Sequence, residues 1–552
     1  MASWFRRKRA SWWLQQRLQR LTRQVARRAR PSPETPPVLF FNASTRLWGL
    51  SENAAFQLLT AWSLRLAGVP VVHVVCRQGL PHCLLAAAQD PQGWPPCSLC
   101  TAWSQRLYAH ARVEELTPLP AADLERRLQG LKVPDLQDFT YQGAPLGALV
   151  TPSVRWALRR HHLPDDEPTR ALFRRFLLGA WTVRERFRVL VESIAPQTVV
   201  AFNGLFYPEA VACWVASRRG IPVVTHEIGL RPLSGFFTHG PNAPAYPIHV
   251  PHTFELTPER EARLQAYLAR RFQGAFTMAG VRFWPKMLPL DQTWEQRLRR
   301  FRQMVPVFTN VVFDTSQVYA NILFSDMFAW LETVLDIIRE HPETLFVLRA
   351  HPDEHRPGKA ARESVRDWVR ARGVDRLPNV VFVDSHEYLS SYALIQRAKF
   401  VMVYNSTIGL EAVLLGKRVL CGGKARFSPY GIGKLPRSAR DFRRIAEAWL
   451  RASHLEVSPT QIERAKKFLY YQLYKVSLPF GKFLEPFPGV SGYVLLKDVK
   501  VEDLYPDRSP TLQTLYEGIV QGREFVLPEG AEVEEMRQEG IGSAPGPVLL
   551  PG

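Results

Sequence analysis

Short apolar, β-rich runs that stop abruptly in a polar turn and then give way to a helix recur along this chain. One of them, KFVMVYNSTIGLEAVLLGKRVLC at 399–421, reads as a complete unit. Residues 400–404 have the unbroken apolar character of a strand buried on both faces. Asn405-Ser406-Thr407 supplies capping side chains at a helix start. Residues 408–415 carry a helical pattern, Gly416 stops it, and 418–421 return to strand. A strand that reaches the next strand through a helix pairs with it in parallel, and parallel sheets are covered on both faces. The chain is therefore expected to be α/β.

The pattern repeats in both halves. Runs at 38–42, 71–76, 198–202 and 222–225 alternate with helical stretches in the first half, and runs at 306–314, 345–349, 380–383, 400–404 and 418–421 do so in the second. At 552 residues the chain exceeds one ordinary core. The expected architecture is GT-B-like: two Rossmann-like domains facing a cleft, preceded by a basic N-terminal helix. The expected divisions are 1–37, a basic amphipathic helix and Pro-rich linker (PSPETPP); 38–300, an N-terminal Rossmann-like acceptor domain with a Cys-rich insertion; 301–490, a C-terminal Rossmann-like donor domain; and 491–552, a partly disordered extension. Residues 110–165 read as irregular, and 235–243 as a Gly-rich loop.

Half of the net charge of +20 sits in the first 30 residues, where ten Lys and Arg meet no acid. Leu14, Leu18, Leu21 and Val25 fall on one helical face there, with Trp4, Phe5, Trp12 and Trp13 near its start. A basic, Trp-rich amphipathic helix suits an anionic membrane surface. A solvated arm or a partner-binding helix has the same pattern. Nucleic acid is not the expected partner, because no other stretch is as densely basic. No window has the length of a membrane-spanning helix, and the start lacks the apolar core of a secretory signal. The expected location is the cytoplasm, peripherally on the inner face of the cell membrane.

Four of six cysteines, Cys76, Cys83, Cys97 and Cys100, fall within 25 residues. Their spacing admits a structural zinc site, but only Cys97 and Cys100 have a tight knuckle spacing, which favours ordinary buried thiols.

Ligands of open α/β sheets bind beyond the carboxyl ends of the strands, and helix N-termini favour phosphate. Arg349, His351 and Pro352 follow the strand at 345–349, and Pro352 holds His351 extended. Asn405, Ser406 and Thr407 follow the strand at 400–404 on what reads as a neighbouring strand, with Glu411 one turn further on as a candidate ribose ligand. Alone, each is an ordinary core histidine or helix cap; together they point to a nucleotide phosphate. Across the cleft, Glu227 beside His226 is the candidate general base, with Asp314, Glu52 and His239 as weaker candidates. No Asp-x-Asp sequence ends a strand, so a metal-independent reaction is expected, without a cofactor beyond the donor itself.

RAHPDE at 349–354, NSTIGLEAVLLGKRV at 405–419, TNVVFD at 309–314, FSDMFAWLETVL at 324–335 and THEIGLRPLSGFFTHG at 225–240 together resemble the capsule polysaccharide biosynthesis family. Those proteins are GT-B-like glycosyltransferases and include Kdo transferases of capsule assembly. The resemblance covers about residues 200–475. The His-Pro and Ser-Thr pair also looks like the motifs with which bacterial sialyltransferases hold the donor's nucleotide phosphate, which implicates His351, Pro352, Ser406 and Thr407. Their acidic motif has no match here, so the resemblance does not supply the base. It implies a glycosyltransferase that uses a nucleotide-sugar and a glycan or lipid-linked acceptor to build a surface polysaccharide or glycoconjugate. A sugar-nucleotide epimerase, a polyol-phosphate transferase and a non-catalytic scaffold of a membrane-associated assembly complex are the alternatives.

Overall fold

The computed structural model describes residues 2–43, 49–84, 97–274, 287–356 and 360–532. Helix α1 (Ala2–Arg28) leads into β1 (Val38–Asn42), β2 (Leu50–Ser51), α2 (Glu52–Leu66) and β3 (Val71–Cys76). The first half adds β4 (Arg112–Leu116), β5 (Thr198–Phe202), β6 (Val223–Ile228) and β7 (Ser234–His239). β1 and β3–β6 pair in parallel, and β7 joins antiparallel to β6. Two expectations fail here. Residues 110–165 hold an edge strand and three helices, and residues 234–239 form a strand. In each case buried apolar residues, among them Leu124, Leu136, Val150, Phe236 and Phe237, override the Pro and Gly content.

The second sheet is formed by β8 (Gln303–Phe308), β9 (Thr344–Arg349), β10 (Val380–Val383), β11 (Val401–Val403) and β12 (Val419–Cys421). All its pairs are parallel, in the order β10-β9-β8-β11-β12. The strands carrying His351 and Asn405–Thr407 are therefore not neighbours, as expected from sequence, but flank β8. The chain winds outward from β8 first to one side and then to the other, and that reversal opens the crevice in which doubly wound sheets bind ligands. β8 stops at Phe308 rather than running to 314. Thr309 Oγ1 donates to the Arg349 carbonyl (3.0 Å) and the Asn310 amide to Asn405 Oδ1 (2.5 Å), which closes the strand end with polar contacts.

The tail is not an appendage. After the helix Pro459–Tyr474 the chain crosses back to the first domain, where β13 (Leu478–Pro479) pairs with β7. β14 (Leu484–Pro486) and β15 (Tyr493–Leu496) form a small sheet with β2. Phe480, Phe483, Leu496, Leu512, Leu515 and Phe525 enter one core with α2 and with Leu14, Leu18, Leu21 and Val25 of α1. Part of the expected extension, 491–532, is therefore folded; the rest of the stretch expected to be disordered, 533–552, lies outside the described residues.

This packing also corrects the reading of α1. Its leucine stripe faces the protein, at most 2 % exposed, not a membrane. Arg17 donates to the Leu496 carbonyl (2.6 Å), and Arg20 and Arg28 pair with Asp498 and Glu502. Trp12 and Trp13 remain on the outer face, 52 % and 42 % exposed. The side chains of Trp4 and Phe5 lie outside the described residues. Among the described residues no helix is long and apolar enough to cross a membrane.

Candidate functional site

One pocket at the crevice of the second sheet gathers most of the residues singled out from sequence. Arg349, His351, Pro352, Ser406, Thr407 and Glu411 line it, together with Thr309, Arg271 and Tyr392. The Asp353 N–H donates to His351 Nδ1 (3.2 Å), so the neutral ring carries its proton on Nε2, and burial lowers the ring's pKa. Neutral His351 is thus a hydrogen-bond donor from Nε2. Burial lowers the Arg349 guanidinium to about 10, with Glu387 opposing, which leaves it charged at neutral pH. Asn405 does not line the pocket; it accepts from Asn310 and from Gln317 (3.3 Å), bracing the turn that presents Ser406 and Thr407.

Glu411 is not placed as expected. It is buried and both its oxygens are engaged: Oε1 accepts from Arg271 (2.6 and 2.9 Å) and Oε2 from the Tyr392 hydroxyl (2.6 Å). Burial opposes the Arg271 charge, but the facing carboxylate outweighs it and raises the guanidinium's pKa. A carboxylate committed to a buried ion pair positions that arginine rather than a ribose. No local pattern marks Arg271, which lies 140 residues from Glu411 in the helix Pro258–Phe272.

The opposite wall comes from the ends of β5 and β6. Asn203 takes a positive φ of 61° directly after β5, and Gly204 follows at 88°. A Cβ on Gly204 would meet the Pro241 carbonyl at 2.7 Å, so the turn requires glycine. The Asn203 amide donates to Glu227 and reaches Thr315 Oγ1 of the other domain (3.4 Å). Burial raises the Glu227 pKa to about 7, against the hydrogen bonds from Asn203 and the Ile228 N–H; nearby Asp314 adds to the rise and Arg426 opposes it. Arg426 lies 3.5 Å over the Tyr246 ring. Asp314 also acts on His351, which ties the carboxylate and the pocket to one cleft. Only the Gly422-Gly423-Lys424-Ala425-Arg426 run after a strand end hints at Arg426 in the sequence.

His226 is a correction. Side chains alternate along β6, so His226 faces away from its neighbour Glu227. It is fully buried, 2.9 Å from the Gln57 amide and stacked on Phe237, and burial lowers its pKa to about 3. It is a core residue. His239 contacts the Arg523 carbonyl (2.9 Å) under the tail, and Glu52 is buried in the first turn of α2.

Cys76, Cys83, Cys97 and Cys100 converge. Burial above all, with the neighbouring thiols adding, pushes Cys76 up to about 11 and Cys100 up to about 12. None of the four is in a disulfide. Among the described residues, a group of three metal-ligating atoms within 4.8 Å of one another lies elsewhere.

The fold and the cleft define a class: a two-domain α/β protein of GT-B-like architecture, with a pocket lined by His351, Arg349, Ser406 and Thr407 on one wall and a carboxylate on the other. Residues 289–457, less than a third of the chain, match the family described as capsule polysaccharide biosynthesis protein. That segment spans the second sheet and is narrower than the 200–475 over which the sequence resemblance runs. The chain is also similar to Protein FixF of Sinorhizobium fredii, at 27 % identity over 308 residues, 54 % of this chain and 64 % of that protein; it thus spans just under two thirds of that relative. Among solved structures, the chain is similar to the KpsC beta Kdo 2,4 transferase of Thermosulfurimonas dismutans, with 15 % identity, a TM-score of 0.34, and coverage of 51 % of this chain and 80 % of that one. The beta Kdo 2,7 transferase from the same organism gives 14 %, 0.31, 62 % and 90 %.

Proposed function

We propose that this protein is a glycosyltransferase that uses a nucleotide-activated sugar to build a capsule-type surface polysaccharide or glycoconjugate. The observation that carries the reading is the pairing, across one cleft, of a pocket that presents imidazole, guanidinium and hydroxyl groups with a carboxylate whose pKa lies near 7. The donor's phosphates occupy the pocket, where His351 Nε2–H, the Ser406 and Thr407 hydroxyls and the Arg349 charge take up the negative charge that develops on the leaving nucleotide. Glu227 accepts the proton of the acceptor hydroxyl as that oxygen attacks the anomeric carbon. A carboxylate with a pKa near the working pH is about half ionised and still basic enough to serve. The family match of the second domain agrees with this reading. The chain's own residues supply each step, which supports a reaction that needs no metal.

A membrane-borne acceptor fits the outer face of α1, where Trp12 and Trp13 stand exposed on the same side as Arg6, Lys8 and Arg9, whereas Arg7 turns inward to the Gly489 carbonyl. Flotation with anionic vesicles should be lost in Trp12→Ala/Trp13→Ala while nucleotide binding is kept; equal flotation of the variant rejects this contact.

The enzyme reading is tested by screening CMP, UDP and GDP for thermal stabilisation, because a ligand of the native state raises its stability. One nucleotide is expected to stabilise, and release of free nucleotide from the matching sugar donor should require an acceptor glycan. Release without acceptor, with an isomerised sugar, favours an epimerase. No stabilisation by any nucleotide sinks the reading.

A further inference from the structure

On another side of the contact between the two domains, the helix Leu146–Leu158 ends at Arg159 in the left-handed conformation, and His161-His162 follow. They face Asp326 and Glu363 of the second domain. Glu363 Oε2 accepts the backbone N–H groups of His161 (2.8 Å) and His162 (2.9 Å), and Glu363 Oε1 lies 2.6 Å from His162 Nδ1. With Nδ1–H given to that carboxylate, the lone pair of a neutral ring lies at Nε2. That nitrogen is 3.7 Å from Asp326 Oδ2, and His161 Nε2 is 3.9 Å from the same oxygen.

These distances exceed hydrogen bonds. They lie close to the roughly 3.4 Å that separates ligands on a tetrahedral ion with bonds of about 2.1 Å. All three ligand atoms fall within 4.8 Å of one another. Asp326 and His162 are also held from behind. Asp326 Oδ1 caps the helix Met327–Glu340 through the N–H groups of Phe328 (2.8 Å) and Ala329 (2.9 Å), and Oδ2 accepts from Ser325 (2.9 Å). Glu363 orients His162. A carboxylate behind a ligating imidazole is the usual outer layer of such a site. Arg155 lies near and opposes a cation, and the hydrogen bonds to Asp326 and Glu363 favour the charged form of His162, so an ion binds by displacing that ring's proton. With both rings then neutral, the two carboxylates and Arg155 leave a net charge of minus one. The His162 side chain is 58 % exposed, which gives an ion an entry path and a water for its fourth position.

We propose that His161, His162 and Asp326 bind a divalent transition ion of the zinc type, with Glu363 as the outer-layer carboxylate, and that the ion clamps the two domains together. Two imidazoles and one carboxylate suit zinc, cobalt or nickel rather than magnesium or calcium. The clamp adjoins the cleft: His161 lines a cavity together with Asp314 and Thr315, the residues that approach Glu227 and Asn203. Occupancy would therefore bear on how the first domain seats against the segment carrying Asp314.

The test uses the full chain after chelation, with Zn2+ titrated by calorimetry and Co2+ as an optical probe. One equivalent should bind, raise the melting temperature and give the intense visible bands of tetrahedral Co2+. Glu363→Gln should weaken binding about 10–100-fold as an outer-layer change, and His162→Ala should remove the Co2+ bands. Cys97→Ser/Cys100→Ser should bind unchanged. The proposal is overturned if the wild type takes up no Zn2+ at millimolar concentration. It is equally overturned if binding survives in His162→Ala and disappears in the cysteine variant, which would assign the ion to the thiols.

Discussion

The two walls of the cleft are made from the same kind of part, polar residues at the carboxyl ends of parallel strands, yet they are assembled differently. The second-domain wall draws most of its polar groups from its own sheet: Arg349 ends β9, His351, Ser406 and Thr407 come from turns after β9 and β11, Tyr392 comes from a neighbouring helix, and Arg271 reaches in from the helix Pro258–Phe272. The first-domain wall is one carboxylate whose properties depend on its partner. Asn203 holds Glu227 and also touches Thr315, while Asp314 and Arg426 of the second domain push its pKa in opposite directions. Donor binding should therefore be a property of one domain, and base strength a property of both.

The largest effect should come from Glu227→Gln. The amide still accepts from Asn203 but cannot take a proton, so kcat/KM should fall about 10²–10⁴-fold. Nucleotide affinity, measured by calorimetry, should stay near that of the wild type. Full activity in this variant would remove Glu227 from the mechanism.

Glu411→Gln comes next. It leaves Arg271 buried without its counter-charge, and truncating one side of a buried pair costs about 3–5 kcal/mol. Denaturant unfolding should show that loss. Unchanged stability with a raised KM for the donor would instead restore Glu411 as a direct ligand.

His351→Ala removes one hydrogen bond to an anion, a cost of about 1.5–3 kcal/mol, or roughly 10–100-fold in nucleotide affinity. An unaltered affinity would break the division of labour between the walls.

The smallest effects are on pH. Activity should rise through about pH 7 as Glu227 ionises. Asp314→Asn removes a like charge and should move that limb down by about one unit or less. The same Glu227 carboxyl affects stability with the opposite sign. Its folded pKa is raised from 4.5 to about 7, so its stabilising contribution is fully present below 4.5 and is lost as the pH rises through about 7. The Glu227→Gln variant should lack that decline. Identical pH–stability curves for the two proteins would count against the raised pKa.

What could be read from the sequence follows the same division. The strand–turn–helix units, and hence both parallel sheets, are local patterns, and the pocket residues sit beside them. Strand order is not local: only the fold places β8 between the two motifs. Glu227 and His226 are adjacent letters whose fates differ because one faces the cleft and the other the core. Glu411 looks like a ribose ligand until Arg271, far away in sequence, claims it. The tail misleads in the same way, since its apolar residues are buried against α1 and α2 from the other end of the sequence.

That tail has a consequence for how the protein is made. The core under β1 and α2 contains residues from α1 at one extreme and from Leu478 to Leu527 at the other. Domains usually complete themselves in order as the chain leaves the ribosome, the first domain first. Here the second domain has all of its strands in hand while the first still lacks its covering sheet. The domain begun first is finished last, and until Leu527 has emerged the apolar faces of α1 and α2 need some other shelter from water.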